Sequence, residues 1–172
     1  MRVSFVFMLC FFWIHSFSQE ANCFDVARRG SLADLVVLYN SDKNVVDAID
    51  ANGSSMLILA AYYGNTEVAV FLADKVKNIN YGSGRGTALM AAVVKGNIVI
   101  AKKLLEAHSD VNAVDANQSS ALHFAVLFKN VEMLRLLLKF NPNLSLKDSS
   151  GATAFELAAK SNNEDIIALL KH

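Results

Sequence analysis

The chain has 172 residues, 16 basic and 16 acidic, with 53% hydrophobic side chains and a single proline. A charge balance this even excludes the broad basic footprint of a nucleic-acid or anionic-membrane binder, leaving room only for a local patch. The length suits one domain with a continuous core.

The chain opens with Met1-Arg2, an almost unbroken apolar run from Val3 to Phe17, small residues in Ser16-Phe17-Ser18 and polar Gln19-Glu20. This order predicts a signal peptide at residues 1–18, cleaved after Ser18, and a mature domain at 19–172 that is periplasmic or secreted. The run is shorter than the roughly 20 apolar residues that span a bilayer and already contains His15 and Ser16. No stable membrane insertion is therefore expected after cleavage, an uncleaved anchor being the alternative. Cys10 follows large Met8 and Leu9, unlike a lipid-attachment site. Cleavage leaves 15 basic and 16 acidic residues and Cys23 as the sole cysteine. No internal disulfide is then available, and stability has to come from packing.

Beyond this segment one phrase recurs: Ser55-Met56-Leu57-Ile58-Leu59-Ala60-Ala61, Thr87-Ala88-Leu89-Met90-Ala91-Ala92-Val93, Ser120-Ala121-Leu122-His123-Phe124-Ala125-Val126 and Thr153-Ala154-Phe155-Glu156-Leu157-Ala158-Ala159. Its opening hydroxyl residues lie 32, 33 and 33 residues apart, the signature of a stacked repeat. A hydroxyl at that point caps a helix start. Leu57, Leu89, Leu122 and Phe155, each with an alanine three residues on, predict one buried face. Gly64-Asn65, Gly96-Asn97, Lys129-Asn130 and Asn162-Asn163 predict the stop, through the left-handed conformation that Gly and Asn tolerate. A second helix follows each time, its apolar sets being Val68, Phe71 and Leu72; Ile100, Leu104 and Leu105; Met133, Leu134, Leu137 and Leu138; and Ile166, Ile167, Leu169 and Leu170. Leu89, Leu104, Leu105, Leu122, Leu137 and Leu138 are expected inside. Asn78-Ile79-Asn80-Tyr81, Asp110-Val111-Asn112-Ala113 and Asn143-Leu144-Ser145-Leu146 then lead into a turn before the next hydroxyl.

Helix, tight turn, helix and extended finger in this register resemble the ankyrin repeat family, and Asp110-Val111-Asn112-Ala113-Val114-Asp115 matches its hairpin motif at every specified position. The resemblance covers residues 22–172. It implies an all-α repeat solenoid of paired antiparallel helices with β-hairpin fingers, in about five repeats near 22–50, 51–82, 83–115, 116–148 and 149–172. The first is divergent, placing Cys23-Phe24-Asp25-Val26-Ala27 in the inner-helix slot and Leu35, Val36 and Leu38 in the outer one, and the outer two repeats act as caps. Met56, Ala88, Ala121 and Ala154 replace the family's proline, and its histidine survives only at His123. The finger from Asn80 to Thr87 is one residue shorter than that from Asn112 to Ser120 and carries Gly82, Gly84 and Gly86, which predicts a strained or mobile hairpin.

No residue set carries catalytic chemistry. The resemblance makes His123 a structural partner of the Ser120 hydroxyl, and His108 stands where a helix C-terminus favours a cation. Neither has metal-ligand neighbours, nothing resembles a nucleophile elbow, and no Lys-Ser/Thr follows the glycines. Cys23 reads as a small core residue. The expectation is a non-enzyme with no catalytic residues, no cofactor and no metal. Proteins of this family hold partners on the concave side, by residues after the Ala-Ala pair and by the hairpin tips. Carried over, that stripe reads Arg28 and Arg29, Tyr62 and Tyr63, Val94 and Lys95, Leu127 and Phe128, then Lys160 and Ser161. Aromatic residues there suit interface anchors; the competing reading buries Tyr62, Leu127 and Phe128 against their own repeats. The expected function is a monomeric scaffold that binds another protein, with a small-ligand binder or an enzyme using the groove as the alternative. Short exported ankyrin proteins of bacterial appearance are associated with supporting exported enzymes, including those of peroxide defence.

Overall fold

The computed structural model describes residues 23–171; the apolar opening segment, Cys10 and the expected cleavage point lie outside the described residues. The architecture grows from the hydroxyl residues. Ser55 Oγ accepts the Ile58 N–H at 3.2 Å, Thr87 Oγ1 that of Met90 at 3.4 Å and Thr153 Oγ1 that of Glu156 at 3.2 Å. Each satisfies a first-turn donor with no intrahelical acceptor, so the extended chain turns helical there.

Ten helices are found among the described residues. In chain order they are α1 (residues 23–29), α2 (Leu32–Ser41), α3 (Met56–Tyr63), α4 (Thr66–Ala73), α5 (Ala88–Val94), α6 (Ile98–Glu106), α7 (Ala121–Leu127), α8 (Val131–Leu138), α9 (Ala154–Lys160) and α10 (Glu164–Leu170). A short 3₁₀ turn, Lys43–Asp47, follows α2. Odd-numbered helices form an inner layer in which α3, α5, α7 and α9 pack in sequence, while α4, α6, α8 and α10 back them.

The turn within each pair has two parts. Gly64, Gly96, Lys129 and Asn162 take left-handed φ of 74°, 67°, 53° and 49°. The asparagines after them were expected to share this stop. Instead Asn65, Asn97, Asn130 and Asn163 have φ of −75°, −83°, −89° and −96° and open the next helix. Asn97, Asn130 and Asn163 accept the N–H of Ile100, Met133 and Ile166 at 3.0, 2.9 and 3.2 Å. Asn65 Nδ2 donates to the carbonyls of Val26 at 3.2 Å and Gly30 at 2.8 Å, tying α4 to the end of α1. A side-chain oxygen beside a helix's free N–H groups is worth more as a cap than as a left-handed residue, and the preceding position supplies the reversal.

Leu57, Leu89 and Leu122 are buried, as are Ala60, Ala92, Ala125 and Ala158, so the inner helices approach closely. Leu104, Leu105 and Leu137 lie inside as expected. Two expectations fail. Phe155 occupies the same slot as Leu57 but is 38% exposed, because no inner helix follows α9 among the described residues to cover it. Leu138 is only half-buried: successive helical residues point about 100° apart, and with Leu137 inward the next turns to the rim.

The fingers close on aspartate. Asp50 Oδ1 accepts the N–H groups of Asn52 and Ser54, Asp115 Oδ1 those of Asn117 and Ser119, and Asp148 Oδ1 those of Ser150 and Ala152, all at 2.8–3.0 Å. The Ser150 hydroxyl also donates to Asp148 at 2.6 Å, and this bond, followed by the Ala152 N–H, holds that carboxyl below its ordinary value by favouring the charged form. Single bridges pair Ile49 with Ser55, Val114 with Ser120 and Lys147 with Thr153. Among the described residues only the short finger forms a ladder, β1 (Gly82–Ser83) against β2 (Gly86–Thr87), in which Ser83 Oγ accepts the Arg85 N–H at 3.2 Å.

Successive fingers are stitched together. Asp47, Asn80 and Asn112 each accept a backbone N–H from the next repeat, those of Lys77, Asp110 and Asn143, at 2.9, 2.7 and 2.7 Å. At the tips the Gly84 carbonyl accepts the Ala116 N–H at 3.3 Å, and that of Asn117 the Ser149 N–H at 2.8 Å. Of the three glycines in the short finger, Gly86 alone takes a left-handed φ, 106°. Glycine adopts that conformation without steric cost, and the hairpin is bonded to a neighbour through Gly84 and Ala116.

Candidate partner-binding cleft

The short finger and the inner helices enclose a cleft of about 440 Å³. Its apolar floor comes from Ile58 and Leu59 of α3 and Met90 and Ala91 of α5. Tyr62, Tyr63, Val94 and Phe124 form the helix side; Asp50, Asn52, Ser54, Ser83, Arg85 and Thr87 form the finger side. An apolar bed with a few polar groups on one edge is the usual chemistry of a recognition site.

Tyr62 and Tyr63 end α3, where the left-handed turn at Gly64 leaves them uncovered, 46% and 56% exposed. Their rings meet edge to face, centroids 5.4 Å apart and planes at 75°, an arrangement the ring quadrupoles favour. Lys95 Nζ lies 4.9 Å from the Tyr62 ring centroid, so a cation backs the aromatic pair.

Arg28, at the other end of the cleft, is engaged. Its guanidinium meets Asp50 Oδ2 at 3.3 Å and Asp25 Oδ1 at 3.4 Å, clasping the first finger to α1. Arg29 points outward, 3.8 Å from Asp25 with its side chain 81% exposed. Of the residues expected to hold a partner, Arg28, Tyr62, Tyr63 and Val94 line this cleft. Arg29, Lys95, Leu127 and Phe128 do not, though Leu127 and Phe128 stand 54% and 55% exposed one repeat further along. The reading from sequence did not include Ile58, Met90, Phe124 or Arg85. A signal for the first two was present: Ile58 and Met90 fill the slot of the family's histidine, and a bulky apolar residue there faces the finger. Among the described residues Arg85 is the one cation that a finger contributes to the cleft.

His123 serves structure elsewhere. It is 1% exposed; the Ser120 N–H donates to Nδ1 at 3.1 Å, and Nε2 donates to the Ala152 carbonyl at 3.2 Å. An amide only donates and a carbonyl only accepts, so these two bonds fit the tautomer with its proton on Nε2. The Ser120 hydroxyl lies 2.9 Å from Nδ1. His108 is exposed at φ 64° beyond α6. No group of His, Cys, Asp or Glu among the described residues is placed to hold a metal. A smaller cavity, about 210 Å³, lies between the segments around Val46 and Val76. On its wall Asp47 Oδ2 is buried without a hydrogen bond, Lys77 Nζ at 3.5 Å being its counter-ion.

Stacked helix pairs, a finger for each junction and an apolar cleft on the inner side together define a repeat solenoid built around recognition. The family described as Ankyrin repeats (3 copies) matches residues 24–115 and 99–172, and the chain belongs to the ankyrin repeat family. Ankyrin repeats generally mediate protein–protein interaction, and proteins built from them are typically non-catalytic scaffolds. Comparison with curated proteins gives no significant match. No helix among the described residues is long and apolar enough to cross a membrane.

Proposed function

We propose that this protein is an exported binding scaffold that holds a partner protein in the concave cleft and supports that partner, an exported enzyme being the favoured kind. The observation that carries the reading is the exposed Tyr62–Tyr63 pair at the edge of an apolar floor. Large aromatic side chains left uncovered beside a groove are the residues from which interfaces draw most of their energy. The alternative, a small ligand or substrate in the cleft, draws on its size. Against it, the cleft's carboxylate and its Arg28 are spent on each other. Export rests on Arg2, the apolar run to Phe17 and the small residues around Ser18; the intact mass of protein from a periplasmic extract tests it.

Tyr62→Ala and Tyr63→Ala are each expected to weaken partner capture by about 1–4 kcal/mol, while the melt stays within about 0.5 kcal/mol of the parent because both rings are exposed. Phe128→Ala, outside the cleft, is the comparison that maps how far the contact extends. A lowered melt with unchanged binding places the tyrosines in the core and refutes the reading.

A further inference from the structure

The neutrality of the whole chain conceals differences in how its charges are paired. The concave stripe carries exposed Arg29, Lys95 and Lys160. The acidic residues of the inner helices are taken: Asp25 pairs with Arg28 and Arg29, and Glu156 accepts the N–H and hydroxyl of Thr153. Glu67, Glu106, Glu132, Glu164 and Asp165 lie on outer helices, which also carry Asp34, Lys102, Lys103 and Arg135 and so present both signs. Inside the cleft the contrast sharpens. Arg28 is neutralised by Asp50, whose side chain is 8% exposed, whereas Arg85 stands exposed at the tip of the hairpin with no ion pair among the described residues.

We propose that the cleft takes an acidic polypeptide segment, seating a large apolar side chain against Tyr62, Tyr63 and Phe124 and a flanking carboxylate on Arg85. This rests on the protein-binding reading above and adds the chemistry of the partner. A planar guanidinium matches a carboxylate with two parallel hydrogen bonds. Beside an apolar floor that pair is less screened than at open surface, so it discriminates more strongly between acidic and basic segments. The surrounding stripe of cations steers the same choice at longer range.

The test is fluorescence anisotropy on the full protein with a short synthetic peptide carrying one tryptophan flanked by glutamates. Its comparisons are a twin flanked by lysines and an acidic version with glycine for tryptophan. The acidic tryptophan peptide is expected to bind tightest, about tenfold better than the lysine twin, with a gap that narrows as salt rises. Arg85→Gln is expected to weaken it about fivefold, and Arg85→Glu to reverse the preference. Both variants should melt as the parent does, since Arg85 is an exposed turn residue. Equal binding of the two twins, or an unchanged order in Arg85→Glu, overturns the proposal. So does displacement of the peptide by phosphatidylserine vesicles or a single-stranded oligonucleotide, which would make the face a general anion surface. If no peptide binds while Tyr63→Ala still loses partner capture, the acidic segment is refuted and the protein-binding reading stands; if Tyr63→Ala is also silent, both fall.

Discussion

Replacing His123 separates a structural histidine from a functional one, and the size of the effect follows from where its bonds go. In His123→Ala the Ser120 N–H loses its acceptor, and Ser120 is 2% exposed. A buried donor left unpaired costs about 1–3 kcal/mol. The Ala152 carbonyl loses Nε2 but keeps the Asp148 N–H at 2.9 Å, so that loss is about 1 kcal/mol, an ordinary net hydrogen bond. The sum predicts about 2–4 kcal/mol of destabilisation. His123→Gln divides it. Gln at the third helical position can accept from the capping residue's N–H, as Glu156 does from Thr153 at 2.7 Å. That variant regains the capping part and retains a deficit of about 1 kcal/mol from Ala152. Urea unfolding followed by circular dichroism measures both, with the slope compared to confirm that the same surface is exposed. A loss in His123→Ala below about 1 kcal/mol, or equal losses in the two variants, refutes the bonding scheme.

Leu104 is fully buried in α6, and Leu104→Ala is expected to cost about 2–5 kcal/mol in the same assay; a change within error would contradict the packing register. Gly86→Ala places a Cβ at φ 106° against Met90 Sδ, so a loss of about 1–3 kcal/mol is expected, and an unshifted urea midpoint would count against the geometry of the short finger. Acid is expected to weaken the fold through three carboxylates. The Ser31 hydroxyl lowers Asp34, the Ser150 hydroxyl lowers Asp148 and the Thr153 N–H lowers Glu156, from ordinary values of 3.8, 3.8 and 4.5. Groups depressed on folding contribute stability that is fully present above their unfolded values and is lost as pH falls through the lower folded ones. Urea midpoints should therefore drop below pH 4.5, and Glu156→Gln should flatten part of that drop.

Much of the fold was legible because a repeat states its rules several times. A hydroxyl, a leucine two residues later and an alanine three beyond identify helix start, buried face and close approach, and the agreement of Ser55, Thr87 and Thr153 shows that these are local decisions. Roles that depend on what stands opposite were harder to read. Asn65 and Asn97 occupy equal positions in the pattern, yet one bonds the carbonyls of Val26 and Gly30 while the other caps its own helix. Phe155 obeys the leucine pattern but is 38% exposed, no inner helix covering it among the described residues. For the cleft, the exposed tyrosines followed from their place after the Ala-Ala pair. The engagement of Arg28 did not, because its partner Asp50 lies 22 residues away on a finger and no local motif announces the pair.

The cleft lies where several departures from the family pattern coincide. The finger from Asn80 to Thr87 is one residue shorter than that from Asn112 to Ser120; its two strands form a ladder, and Ser83 and Arg85 stand at the cleft's edge. Gly86 allows that approach: any side chain there would meet Met90. Met90 in turn stands where the family's histidine would be, and a thioether in that slot gives the cleft an apolar, adaptable floor in place of a hydrogen-bonded wall. His123, one repeat along, shows the opposite solution, a ring locked between Ser120 and Ala152. The same slot therefore closes one junction with hydrogen bonds and leaves the other lined with carbon. Recognition settles beside the second because the exposed rings of Tyr62 and Tyr63 border it, and apolar surface open to water gains free energy when a partner covers it, whereas the polar groups at the first already have partners and gain nothing by exchanging them.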